Sequence, residues 1–143
     1  MLEVIAIDEK FTVLDKYGEY LISNYGRCYS VKSQKFLKAN LNSNGYARFH
    51  IMHGYDNNKK QIRQQVFVHL AVVEHFGDKF GNTFEEKSNY IEKINVDHRN
   101  GNRLDNRQSN LQIVSAKCNQ QRKYLKYEDI DNIENYNDIE DIF

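Results

Sequence analysis

Between Val66 and Phe76, apolar side chains recur at the spacing of an α-helix. Val68, Val72 and Phe76 stand at i, i+4 and i+8, and Val73 widens the stripe, so VFVHLAVVEHF is expected to form a short helix. Its β-branched content would also suit a strand. Upstream the pattern shortens. VIAI and FTVL, within residues 1–16, are strand-like runs, and Tyr20, Ile22, Tyr29 and Val31 alternate on either side of an Asn24–Gly26 turn. Asn44-Gly45 marks a second turn, one that favours positive φ. Short aromatic and β-branched segments with such punctuation predict an antiparallel sheet, whose exposed faces would carry Arg27, Lys32, Lys35, Lys38 and Arg48. Residues 54–61, GYDNNKKQ, read as a basic polar connection, and residues 77–93 as a polar connector.

Downstream, two short apolar runs frame a polar stretch. Ile94–Val96 and Leu111–Val114 read as strands, residues 99–109 as a long loop, and Ser115 as the cap of a helix reaching about Lys126. In this strand–loop–strand–helix unit, Asp97 lies at the first strand's end and Asn119 one turn into the helix. A carboxylate and an amide oxygen are hard ligands that suit Mg²⁺, an ion that keeps open positions for waters and phosphate oxygens. His98 follows Asp97, and an imidazole titrating near neutral pH is suited to take a proton from attacking water. Asn110 reads as a brace that ties the loop to the strand, and Asp105 and Asn106 as loop-fixing residues, with Asp105 a reserve ligand. Arg99, Arg103 and Arg107 are open between phosphate contacts and ordinary solvated charges. His69 and His75, six apart, read as core-edge packing, and His50 and His53 as structural.

Composition sharpens this picture. The chain has 143 residues and no net formal charge, yet all 20 Lys and Arg lie before position 128, with 13 of the 20 Asp and Glu. The body is therefore basic and the segment after Lys126 acidic, which favours a polyanionic partner for the body. Two cysteines, Cys28 and Cys118, form no CxxC pair, which suits a reduced intracellular compartment. No apolar run approaches membrane-spanning length. The acidic segment, with Ile130, Ile133 and Tyr136 at helical spacing, is open between a packed helix and a solvated end.

NVDHRNGNRLDNRQSNLQIVSAKCN, residues 95–119, resembles the signature of the HNH nucleases, in the subgroup that includes intron-encoded homing endonucleases of bacteriophages. Upstream, YLISNYGRCYS, NSNGYARFHI and VHLAVVEHFG are similar to the β-rich, DNA-holding module found before such domains. The resemblance covers about residues 17–124. It implies an α+β fold, an N-terminal antiparallel β-rich module followed by a ββα-metal nuclease motif. It further implies His98 as general base, Asp97 and Asn119 as ligands of one Mg²⁺ or Mn²⁺, Asn110 as structural, and double-stranded DNA as partner. At the last position many members have His, and the phage homing enzymes can use Asn. Leu70 departs from the family, whose helix has Arg after His. Phage relatives can continue into further DNA-binding helices, where this chain carries its acidic segment.

The expected organisation is thus 1–65, a DNA-contacting β-rich module; 66–93, helix and connector; 94–127, the nuclease motif; and 128–143, the acidic tail. The expected function is metal-dependent DNA cleavage, as nicking, by an intracellular protein whose state as monomer or homodimer is open. The competing readings are a DNA-binding module with an idle centre, such as a decayed mobile-element protein, and a structural or interaction protein without clustered positive charge around Asp97.

Overall fold

The computed structural model describes residues 6–85 and 94–115. Nine strands and one helix run in the order β1 (Phe11–Val13), β2 (Tyr20–Ser23), β3 (Cys28–Ser30), β4 (Lys35–Phe36), β5 (Asn40–Leu41), β6 (Ala47–Tyr55), β7 (Gln61–Phe67), α1 (Val68–Phe76), β8 (Ile94–His98) and β9 (Leu111–Ser115) among the described residues. They form an antiparallel meander β1-β2-β3-β4, a three-stranded sheet β5-β6-β7 and the hairpin β8-β9. This is the expected α+β architecture, with a β-rich module before the β8-β9 hairpin.

Turn chemistry sets the registers. Gly45 adopts φ +83° and closes the β5–β6 connection, as Asn44-Gly45 predicts. Gly26, at φ +85°, closes β2 onto β3 so that Ile22 faces Cys28. A Cβ at position 26 would lie 3.0 Å from Asn106 Cβ, 3.1 Å from Val68 Cγ1 and 3.2 Å from the Asn106 carbonyl oxygen. The β2–β3 turn of the N-terminal sheet therefore rests on both the helix and the loop that holds Asn106. Gly26→Ala is expected to cost about 1–3 kcal/mol, from the left-handed backbone together with this crowding. Thermal melting checks it; a melting temperature unchanged within 1–2 °C, a roughly sub-kcal/mol effect, would count against such close packing.

One apolar cluster joins the three sheets. Ile22, Phe49, Ile51, Val68, Val72, Val73, Leu111 and Ile113 are all buried within it. Each fully buried Val, Leu or Ile contributes roughly 1.5–3 kcal/mol of transfer free energy, so β6, α1 and β9 stabilise one another through shared burial. Cys28 lies in the same cluster, and burial pushes its thiol up to about 12, which leaves it an inert packing group.

Three local expectations change. Ala6 and Ile7 of VIAI do not continue as a strand: Ile7 and Asp8 form a turn, with Ile7 fully exposed. Residues 54–61 are not simply a connection, because β6 runs through Tyr55 and β7 begins at Gln61. Only residues 56–60 turn, held by Asp56 Oδ1 accepting the amides of Asn58 (2.8 Å) and Lys60 (3.0 Å). The distal half of this ribbon is exposed on both faces, so its strands lack the apolar alternation that marks a half-buried strand. Finally, Val66 and Phe67 belong to β7, and α1 starts at Val68. Val68 and Val72 of the expected stripe are fully buried, with Phe76 partly so. The Gly77 amide closes the helix on the Val73 carbonyl at 2.9 Å.

Candidate nuclease site

The hairpin β8-β9 builds the site. Asp97 pairs with Gln112 and His98 with Leu111, so both residues belong to the strand itself rather than to its flank. The intervening loop is folded on its own polar side chains. Asn110 Nδ2 donates to Asn100 Oδ1 (3.0 Å) and to the Asp105 carbonyl (2.8 Å), while its Oδ1 accepts the Asn100 amide at 3.0 Å. Asp105 accepts from Asn100 Nδ2 (2.9 Å) and from Arg107 Nε (2.8 Å) and Nη2 (2.9 Å). These bonds hold the Asp105 carboxyl below its ordinary value, the Arg107 guanidinium foremost and Asn100 as a smaller contribution. With Asn110 and Asn100 satisfying backbone groups across its neck, the loop presents Asn106 to His98.

His98 is 5% exposed, and its Nε2 lies 2.7 Å from Asn106 Oδ1. An amide oxygen only accepts, so Nε2 carries the proton and Nδ1 keeps the lone pair. Burial lowers the His98 pKa, the Asn106 bond opposes that shift, and the nearby Arg103 charge adds to it. The ring is therefore neutral at neutral pH and able to accept a proton at Nδ1.

Two further rings complete the surroundings. The His69 centroid lies 5.3 Å from that of His98, and Tyr46 stacks on His69 at 5.0 Å with 25° between planes. The Arg103 guanidinium sits 4.7 Å from the Tyr46 centroid and donates to the Asn44 carbonyl. His69 comes from the first turn of α1 and Tyr46 from the residue just before β6, so the segment upstream of the hairpin supplies one wall of the site. Spacing along the chain holds no sign of this. The two histidines are 29 positions apart, and a buried His on an apolar helix face reads as packing.

Of the other predicted residues, Asp97 is half-buried on β8, and Ser115, expected as a helix cap, is the last residue of β9; Asn119 lies outside the described residues, as do the rest of the helix expected to reach Lys126, Cys118 and the acidic segment. Among the described residues no three His, Cys, Asp or Glu side chains gather as a metal cluster. A closed site of soft or imidazole ligands is thus not formed by them; the Asp97 carboxylate beside His98 is a hard donor, the kind that suits an ion retaining waters and taking phosphate oxygens. Lys32, Lys35 and Lys38 are exposed as expected. Arg27 is not open to solvent in the same way, because its guanidinium grips buried Glu9 through Nε (2.9 Å) and Nη2 (2.8 Å) and lies 4.2 Å over Phe36. Arg48 is half-buried, with Nε on Asn40 Oδ1 at 2.8 Å. Arg99 is 5% exposed, folded against Phe80 at 5.4 Å, whereas Arg103 and Arg107 are exposed. Leu70 is 40% exposed.

Asp78 is a residue the sequence pattern gives no reason to single out. Wholly buried, it accepts the amides of Phe80 (2.9 Å), Asn82 (2.9 Å) and Ile113 (2.9 Å), and so fastens the end of α1 to β9.

Residues 87–121 match the HNH endonuclease family, and residues 9–51 match the NUMOD4 motif. The chain is 31% identical over 102 residues to DNA endonuclease I-HmuI of Bacillus phage SP01, across 71% of this chain and 49% of that protein. It is 31% identical over 107 residues to H-N-H endonuclease F-TflII of Escherichia phage T5, across 75% of this chain and 48% of that protein. It thus spans about half the length of the curated relatives it matches. A solved structure of the HNH homing endonuclease I-HmuI, described as showing DNA binding and cleavage, superposes with a TM-score of 0.58 at 27% identity, covering 87% of this chain and 65% of the other. No helix among the described residues is long and apolar enough to cross a membrane. With the hairpin, its loop and the upstream β-rich module all accounted for, the chain belongs to the HNH endonuclease family.

Proposed function

We propose that the chain is a metal-dependent DNA endonuclease that hydrolyses a phosphodiester bond and nicks one strand per event. The observation that carries this reading is His98: a neutral imidazole whose Nε2 is engaged by Asn106, leaving Nδ1 as the basic nitrogen at the end of β8. In this reading Nδ1 takes the proton of the attacking water, and Asn106 holds the ring in the tautomer that permits it. Asp97 and Asn119 would hold one Mg²⁺ or Mn²⁺, which supplies charge stabilisation at the phosphate and the leaving oxygen. Asn110 keeps the loop neck closed, so the base stays in register with β8.

The charge distribution favours a polyanionic substrate, and the similarity to phage DNA endonucleases makes double-stranded DNA the one proposed. Lys35 on β4 with Lys32 and Lys38 on either side of it, Arg103 and Arg107 in the loop, and Lys59, Lys60 and Arg63 on the exposed ribbon offer cations on the described surface. Such groups bind phosphates without sequence preference and make affinity fall with salt.

The test is incubation of supercoiled plasmid with the full chain and Mg²⁺ or Mn²⁺, with and without a chelator. Relaxed circles should accumulate before linear DNA, and chelation should abolish both. DNA binding without metal-dependent nicking would instead identify a binding module with an idle centre. Linear DNA appearing without a relaxed intermediate would replace nicking by concerted double-strand cleavage.

A further inference from the structure

His69 is buried at 8% exposure, yet its Nδ1 has no hydrogen-bond partner. A buried, unpartnered polar atom costs about 1–3 kcal/mol. Phenylalanine would fill the same space between Tyr46, Phe67 and His98 with no such cost. Packing therefore does not account for an imidazole here. The ring is also held firmly: Tyr46 covers one face at 5.0 Å, Phe67 meets it edge-on at 6.0 Å, and α1 begins directly from β7 without a loop.

We propose that His69 is a second imidazole of the reaction centre, one that donates a hydrogen bond to the phosphate group being cleaved beside His98. The inference rests on the nuclease reading of His98. A neutral imidazole carries one N–H and one lone pair. With Nδ1 enclosed and unpartnered, the proton belongs on Nε2, the nitrogen left to meet a ligand. Burial, and then the neighbouring His98, push the His69 pKa down to about 4. The ring thus presents a polarised N–H without a second positive charge against the base. A fixed donor aimed at charge that develops in the transition state is the kind of group that accelerates phosphoryl and acyl chemistry. Its position, 5.3 Å from His98 between ring centroids, is within reach of one phosphate group touched by both.

His69→Phe and His69→Gln in the full chain separate this role from packing. Initial nicking rates on supercoiled plasmid, measured across DNA concentration with Mg²⁺ or Mn²⁺, give kcat and KM, and thermal melting reports the fold. His69→Phe should lower kcat by about 10²-fold and leave KM within about threefold, since removing one such donor typically costs 10²–10³-fold. Its melting temperature should equal or exceed that of the wild type, because an unpartnered nitrogen is gone. His69→Gln keeps an N–H donor and should recover about tenfold of the lost rate despite poorer packing. A His69→Phe protein that turns over within about threefold of an active wild type overturns the proposal alone, as do Phe and Gln variants that are equally slow. If the wild-type chain cleaves no DNA under any of these conditions, the nuclease reading falls and the proposal falls with it.

Discussion

His98→Ala should slow metal-dependent nicking by about 10²–10⁴-fold, the span general-base catalysis contributes. Nδ1 is the only basic nitrogen the ring offers while Nε2 donates to Asn106, so the substitution removes the proton acceptor and orphans the Asn106 oxygen together. The lost ring also leaves space beside His69 and Tyr46, which is expected to cost about 2–4 kcal/mol of stability. The measurement must therefore be made below the variant's own melting transition. His98→Gln provides the control for volume, filling more of the site without restoring a base. Both variants should still bind plasmid with near wild-type salt dependence, because the exposed lysines and arginines proposed to meet phosphates are untouched. A His98→Ala protein that nicks at the wild-type rate would remove His98 from the chemistry.

Asp78→Ala is the substitution expected to damage the fold most, by about 3–5 kcal/mol. Its carboxylate accepts three backbone amides and lies 3.4 Å from Asn82 Nδ2, and all of it is shielded from water. Truncation strands those donors, one of them the Ile113 amide in the middle of β9. Asp78→Asn keeps the volume and one acceptor oxygen and should lose less than half as much, in the region of 1–2 kcal/mol. Denaturant or thermal unfolding orders the three proteins, with wild type highest and Ala lowest. An Ala variant that melts within 1–2 °C of wild type, well under about 1 kcal/mol, would show the anchor to be dispensable.

Those two residues differ in how far the chain discloses them. Asp97 and His98 could be placed because apolar Ile94–Val96 leads straight into them and Leu111–Val114 answers as the partner strand. The α1 stripe was readable for the same reason, as burial on one face imposes a period on Val68, Val72 and Phe76. The strand Gln61–Phe67 was hidden, since a ribbon exposed on two faces selects no alternation and QIRQQ reads as loop. Asp78, His69 and Glu9 were hidden for another reason. Each is polar, and its role depends on a partner far along the chain: Ile113, His98 and Arg27. Local pattern carries propensity and periodicity; it carries nothing about which distant amide a carboxylate will meet.

The contact of Gly26 with Asn106 bears on how such proteins could be recombined. The β-rich segment and the nuclease hairpin are matched by separate motifs, which invites treating them as interchangeable cassettes. Here the seam between them is as closely fitted as a core. Gly26 lies under Asn106, the Asn24 carbonyl accepts the Gln108 amide at 2.8 Å, and Arg103 reaches the Asn44 carbonyl. A chimaera that borrowed the first cassette from a relative would inherit a new floor beneath the loop that aims His98. Grafts of this kind should succeed only when the 24–26 turn and the 103–108 loop travel as a matched pair.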